Sequence, residues 1–311
     1  MPSSPGTRIG APERPLISPS ELAARLGGEH VRVADVRWTL GEPGAGRRAY
    51  ETSHIPGAIF LDLDDDLADA SGYGAPGRHP LPTPGEFARR LGHAGIGDDD
   101  LVVAYDDAGG WIAARLWWML DDLGFNAPER LGGAAVLDGG WPAWLAAGLP
   151  TSTEVPAHAS GQLHLADHWR RVIDREAVGS RLGALVLLDA RAAARYRGET
   201  EPIDPIAGHI PTALSAPWDG NVEEDQRLRG PAELRGRFEG LGAGANADEE
   251  VVAYCGSGTT ACHHALAMRV AGLPDPTIYV GSYSDWSRSG LPIATGPEPG
   301  PPPTATQASQ G

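Results

Sequence analysis

The chain repeats itself. Val33-Ala34-Asp35-Val36-Arg37 returns as Leu187-Leu188-Asp189-Ala190-Arg191, and His54-Ile55-Pro56-Gly57-Ala58 returns as His209-Ile210-Pro211-Thr212-Ala213. Val102-Val103-Ala104-Tyr105-Asp106 returns as Val251-Val252-Ala253-Tyr254-Cys255, and Trp144 with Gly148-Leu149-Pro150 returns as Trp286 with Gly290-Leu291-Pro292. Chance can produce one such pair; four in one order require two copies of one domain. Within each copy, short β-branched runs alternate with helical patterns, beginning with Ser18-Pro19-Ser20-Glu21 as the cap of a first helix. That alternation predicts an α/β fold, each copy a parallel sheet flanked by helices. The boundaries that follow are 16–150, a linker at 151–164 whose polar core is Thr151 to Ser160, and 165–295. The Pro/Gly-rich tail, 296–311, is expected to be disordered, and residues 1–15 to fray.

A length of 311 residues suits two domains of ordinary size, each able to bury its own core. The 25 Lys and Arg residues face 41 Asp and Glu, a formal charge of −16. That argues against nucleic acid or an anionic membrane as partner, since both select basic patches. A small anionic substrate stays open, because a few arginines can invert the field in one cleft. The two cysteines lie seven positions apart, which fits a reducing compartment better than a disulfide scaffold. No basic segment followed by an apolar run opens the chain, and no stretch reaches membrane-spanning length. A soluble, cytoplasmic protein is expected.

The copies differ where it matters for chemistry. In the second, Val251-Val252-Ala253-Tyr254 leads Cys255 into Gly256-Ser257-Gly258-Thr259-Thr260, and a helix is expected over Ala261 to Val270. A cysteine at a strand-to-helix turn meets converging backbone N–H groups and a helix N-terminus, which favour an anion and so a thiolate. The alternative for a free cysteine is a buried structural residue. In the first copy Asp106 holds that position, so a nucleophilic cysteine exists only in the second half. The first half then serves as scaffold and cleft wall.

Asp35-Val36-Arg37-Trp38, His54-Ile55-Pro56-Gly57-Ala58, Leu137-Asp138-Gly139-Gly140, Arg195-Tyr196-Arg197-Gly198-Glu199, Gly208-His209-Ile210-Pro211 and the loop from Cys255 to Ala261 share more than a fold pattern. Together with the duplication, they make the chain resemble the tandem-domain rhodanese superfamily, most of all its 3-mercaptopyruvate sulfurtransferases. The resemblance implies two rhodanese-like domains and a sulfurtransferase, with Cys255 carrying sulfur as a persulfide and no metal or organic cofactor. It implies a small sulfur donor and a thiol, cyanide or thioredoxin-like acceptor. Cys, His and Asp are too scattered for a metal-ligand spacing.

By the same resemblance, Ser257, His79 and Asp64 form a relay in which the aspartate orients an imidazole that moves a proton through the hydroxyl. Arg195 binds the donor's carboxylate, and the loop residues Gly256, Gly258, Thr259 and Thr260 cradle it, with the Ser257 and Thr260 hydroxyls turned inward. The family's second carboxylate-binding arginine falls near Asp204, where no arginine stands; Arg197 is the candidate replacement. Thiosulfate enzymes carry cationic residues after the cysteine, whereas Gly256 and Ser257 leave a neutral rim suited to a monoanionic thiol acid. Thiosulfate is the second donor to consider, and a non-catalytic sulfur-relay module the third reading. A phosphatase is disfavoured, since residues 261–264 (Ala-Cys-His-His) lack the arginine that grips phosphate.

Other polar residues receive structural readings. His54 and His209 recur in both copies, as do the pairs Asp35–Arg37 and Asp189–Arg191, so roles in packing and loop fixation are expected. Cys262 should be buried and inert, His263 and His264 should lie on a helix surface, and Trp117, Trp118, Trp144 and Trp286 should be core.

Overall fold

The computed structural model describes residues 15–69, 77–244 and 250–303. The first copy contains β1 (Leu16–Ile17), α1 (Pro19–Ala23), β2 (Val31–Asp35), α2 (Ala45–Thr52), β3 (Ala58–Phe60), α3 (Pro84–His93), β4 (Leu101–Tyr105), α4 (Ala113–Asp122), β5 (Gly133–Leu137) and α5 (Gly140–Ala146). The second contains β6 (Val172–Ile173), α6 (Arg175–Ser180), β7 (Val186–Asp189), α7 (Ala193–Tyr196), β8 (Leu214–Ser215), α8 (Pro231–Gly240), β9 (Val251–Tyr254), α9 (Thr259–Val270), β10 (Thr277–Tyr279) and α10 (Ser282–Trp286). The sheets run β1-β5-β4-β2-β3 and β6-β10-β9-β7-β8, the same order twice. Every strand pairing is parallel. The duplication read from scattered pentapeptides is thus a duplication of topology.

Local sequence explains the elements. Ser18 and Glu21 form a reciprocal capping box that starts α1. The central strands β4 and β9 are buried along their whole length, as a parallel sheet covered on both faces requires. Asp35 and Asp189 each receive the guanidinium of the arginine two residues on, Arg37 and Arg191. Each arginine also donates to a loop carbonyl, Ser53 or Gly208. His54 and His209 stack on Tyr50 and Tyr196 and hydrogen-bond their carbonyls, so these recurring residues fix loops.

Besides the cores each copy keeps for itself, the two share one. All ten residues of α4 are buried, and so are Ala261 to Met268 of α9, because these two helices pack on each other across the domain boundary. The largest apolar cluster joins Ile112, Trp117 and Leu120 of the first copy to Ala253, Cys255, Ala261 and Leu266 of the second. The reading of His263 and His264 as surface residues is corrected: both are fully buried, His263 against the first copy at Gly109 and His264 within the second copy against Ala216 and Phe238. Each accepts from Asn221 through Nδ1 and donates through Nε2 to a carbonyl, that of Gly109 or of Ala216. Burial holds their pKa values down at about 4 and about 3, so both stay neutral. The four tryptophans assigned to the core are buried.

The connecting segments are tied down too. Ser152 pairs with His54, and Gln162 accepts the Asp98 N–H, so the linker lies along the first domain. The tail expectation needs correction for residues 296–303. Gly296 N–H donates to Arg197 O and Thr212 N–H to Pro299 O, which lays that segment on the second domain. Residues 304–311 lie outside the described residues, as do 1–14. No helix among the described residues is long and apolar enough to cross a membrane.

Candidate active site

The strand β9 ends at Tyr254, and Cys255 follows at 2% exposure with α9 starting four residues later. The short loop must reverse within that span, so its amides turn inward: Gly258 N–H points at Cys255 Sγ, 3.1 Å away. The loop is braced from α10. Ser282 Oγ accepts the Cys255 N–H at 3.1 Å, while Tyr283 and Ser284 N–H donate to the Cys255 and Gly256 carbonyls at 2.9 Å. A thiolate here gains an N–H donor and the positive end of α9. Cys262 is different. Its thiol faces the Gly258 carbonyl in the core, and burial pushes its pKa up to about 12. It has no nucleophilic form to offer.

The first copy shows what such a loop does with a carboxylate. Asp106 Oδ1 accepts from the N–H groups of Ala108 and Gly110, and Oδ2 from those of Ile112 and Ala113, at 2.8–2.9 Å. Its carboxylate fills the cradle at the start of α4 that stands open to sulfur at the start of α9. The first copy therefore has a carboxylate, not a thiol, at this turn. Asp106→Ala would leave four donors, three of them buried, without an acceptor; a loss of about 3 kcal/mol or more is expected, read as a lowered midpoint in chemical denaturation. A midpoint within error of wild type would contradict the cradle.

Side chains from the first domain complete the second domain's loop. His79 lies between Ser257 and Asp64, with Nδ1 2.8 Å from Ser257 Oγ and Nε2 3.0 Å from Asp64 Oδ1. An ionised carboxylate can only accept, so Nε2 carries the proton and Nδ1 is free to accept from the hydroxyl. The hydrogen bond from His79, aided by the Trp38 indole at 2.8 Å, holds Asp64 below the usual carboxylate range against the opposing effect of burial. Trp38 also meets the His79 ring edge-on at 5.7 Å, restricting its rotation. The second hydroxyl near His79 is that of Thr259, 3.4 Å from Nδ1, rather than that of Thr260, the half-buried second residue of α9.

Two arginines lie over Gly256. A methyl group on Gly256 would sit 2.7 Å from Arg78 Nη2, which would have to shift, and in ordinary contact with Arg195 Nη1 at 3.5 Å. Arg195 is anchored by Glu201 at 2.7 Å and by Asp204 at 3.1 Å; Asp204, fully buried in its side chain, also takes Arg78. Arg197 is elsewhere: it pairs with Glu199 at the surface, 2.7 Å away. The expectation that Arg197 replaces the absent second arginine is corrected accordingly. The loop residues Gly256 and Ser257 are themselves neutral, and the positive charge over them comes from Arg195 of α7 and Arg78 of the first domain.

The chain matches the rhodanese-like domain over residues 18–147 and again over 174–289. It belongs to the rhodanese family. It is 44% identical to a probable 3-mercaptopyruvate sulfurtransferase of Pseudomonas aeruginosa, over 90% of this chain and 98% of the relative. It is 37% identical to a putative thiosulfate sulfurtransferase of Mycobacterium tuberculosis, over 88% of this chain and 93% of that one. A solved 3-mercaptopyruvate sulfurtransferase from Leishmania major superposes with a TM-score of 0.76 at 29% identity, covering 89% of this chain and 75% of that chain.

Two residues of this rhodanese site escaped the sequence reading, both supplied by the first domain. Arg78 is one. Arg115 of α4 is the other: fully buried, it donates to the carbonyls of His79 at 2.9 Å, Leu67 at 3.2 Å and Gly258 at 3.4 Å. It thereby ties the loops bearing Asp64 and His79 to the cysteine loop. The available signal for Arg78 was its place beside the relay histidine in Gly77-Arg78-His79-Pro80: a loop that carries one side chain across the interface can carry two.

Proposed function

We propose that this protein is a sulfurtransferase whose donor is 3-mercaptopyruvate, with Cys255 carrying the sulfur as a persulfide. The observation that carries the reading is the Asp64–His79–Ser257 chain beside Cys255, assembled from both domains. The Cys255 thiolate attacks the donor's sulfur, an S–S bond forms and the C–S bond breaks. The electron pair of that bond goes to carbon as a pyruvate enolate. The proton lost from the donor thiol ends on that carbon by way of Ser257 and His79, which leaves pyruvate and a persulfide anion. A nucleophilic acceptor (a thiol, cyanide or a thioredoxin-like protein) then takes the outer sulfur and returns the thiolate.

Arg195 supports the keto-acid reading, because a guanidinium fork suits a carboxylate. The similarity to a putative thiosulfate sulfurtransferase keeps thiosulfate as the second reading. Specificity is a ratio of kcat/KM values, so both donors are to be compared on the same preparation. Mercaptopyruvate should be preferred, and Arg195→Ala should raise its KM by about tenfold or more, the cost of one charge-assisted contact. A preference for thiosulfate would reverse the donor assignment.

A further inference from the structure

We infer that Arg115 is the buried counter-charge of the sulfur anion on Cys255, held inside the interface by the non-catalytic domain. Its bearing on the persulfide rests on the proposed sulfurtransferase reading, whereas its bearing on the thiolate needs no sulfur donor.

A guanidinium keeps its charge at any ordinary pH, and a buried charge is costly unless an opposite one compensates it. Arg115 is fully buried, and its Nε has no hydrogen-bond partner. Among the described residues no carboxylate pairs with it; its partners are the carbonyls of His79, Leu67 and Gly258. Carbonyl dipoles solvate a cation without neutralising it. The acids of the site are committed elsewhere: Asp64 to His79 and Trp38, Glu201 to Arg195, and Asp204 to Arg78 and Arg195. On the other side of Gly258 is sulfur. The Gly258 N–H points at Cys255 Sγ, 3.1 Å away, while its carbonyl lies 3.4 Å from Nη1 of Arg115. Burial pulls the guanidinium's pKa down, and the opposing pull comes from Cys262 and Cys255 rather than from any acid. Cys262, pushed up to about 12, stays a thiol, which leaves Cys255 to supply the anion.

The duplication provides an internal comparison. Gly258 and Gly109 each stand three residues after the position where the copies differ, Cys255 or Asp106. Across the interface, the Gly258 carbonyl meets Arg115, and the Gly109 carbonyl meets Nε2 of His263, which burial keeps neutral with a pKa of about 4. The Asp106 carboxylate is satisfied by four N–H groups, whereas among the described residues Sγ of Cys255 receives one. The loop whose anion is short of donors is the loop that faces a cation.

The other titratable groups around the cysteine loop are Arg78 and Arg195 over Gly256, His79 on Ser257 and Cys262 on the Gly258 carbonyl. Asp285 of α10 binds Tyr279 and Arg175 instead. Arg78 and Arg195 are partly exposed and paired with acids; Arg115 is neither, so its charge acts in the lower dielectric and more strongly.

The test is the pH dependence of alkylation at Cys255 by iodoacetamide, a neutral probe that the thiolate attacks with loss of iodide. Arg115→Met removes the charge and keeps much of the bulk. Its midpoint should rise by about one pH unit, so that alkylation well below the midpoint slows about tenfold. Arg115→Lys, which keeps the charge but not the fork, should return most of the wild-type profile. A midpoint unmoved in Arg115→Met, or moved equally in both variants, would overturn the inference and leave Arg115 as a brace between loops. Should Arg115→Met fail to fold, two changes at the sulfur decide: Cys255→Asp, a permanent anion, should unfold at a higher denaturant concentration than Cys255→Asn, and an equal or lower midpoint would overturn the inference. Shifted alkylation in a protein whose wild type turns over neither mercaptopyruvate nor thiosulfate would uphold the counter-charge and overturn the proposed function.

Discussion

Replacing Cys255 with serine is expected to reduce sulfur transfer to the uncatalysed background and to abolish the persulfide. Wild-type protein mixed with mercaptopyruvate, without acceptor, should gain the mass of one sulfur, located on the peptide containing Cys255. The variant should gain none. A hydroxyl fits the same space and can take the Gly258 N–H that now points at sulfur, so folding should survive the change. What it lacks is a stable anionic form and an affinity for sulfur, and in the proposed cycle both half-reactions pass through that atom. Cys262 cannot take over, since burial leaves its thiol protonated up to about pH 12. Sulfur found on Cys262, or on wild-type protein in equal amount without a donor, would dismantle the assignment. The same experiment separates an enzyme from a sulfur-relay module, because a module that only receives persulfide from a partner would stay unloaded by the small donor.

Much of this site was legible in the sequence because the chain repeats itself. Comparing Cys255 with Asp106 marked where the copies diverge, and period and turn chemistry located the loop at the end of a buried strand. What could not be read was everything that depends on the domains meeting. His263 looks polar in one dimension and reaches the Gly109 carbonyl of the first domain in three. Arg78 and Asp204 are 126 positions apart, and nothing local to either announces the pairing. Arg197 was attractive because it lies two residues from Arg195. At the end of α7, however, a two-residue step turns a side chain to a different face, and Arg197, the residue that caps the helix, finds Glu199 there instead. The tail beyond Gly296 has the composition of a disordered segment, yet proline carbonyls still accept hydrogen bonds, and Thr212 uses one.

The relay makes the sharper mechanistic prediction, because its need depends on the donor. Mercaptopyruvate leaves as an enolate, a strong base at carbon that must be protonated as the C–S bond breaks. Thiosulfate would leave as sulfite, already a stable anion that needs no proton. His79→Ala should therefore lower kcat for mercaptopyruvate by about 10²–10⁴-fold, the range for losing a positioned acid–base group. Thiosulfate turnover should change far less. Ser257→Ala should have a comparable effect, and the double variant little more, since both remove one proton path. Asp64→Asn keeps the shape but can offer its amide N–H to Nε2, favouring the tautomer that places the proton on Nδ1, facing Ser257. Its defect should lie in kcat rather than KM, because Asp64 sits behind His79 and away from the arginines. Equal losses for both donors in His79→Ala would mean that the imidazole only braces the interface, and the proton would need another route.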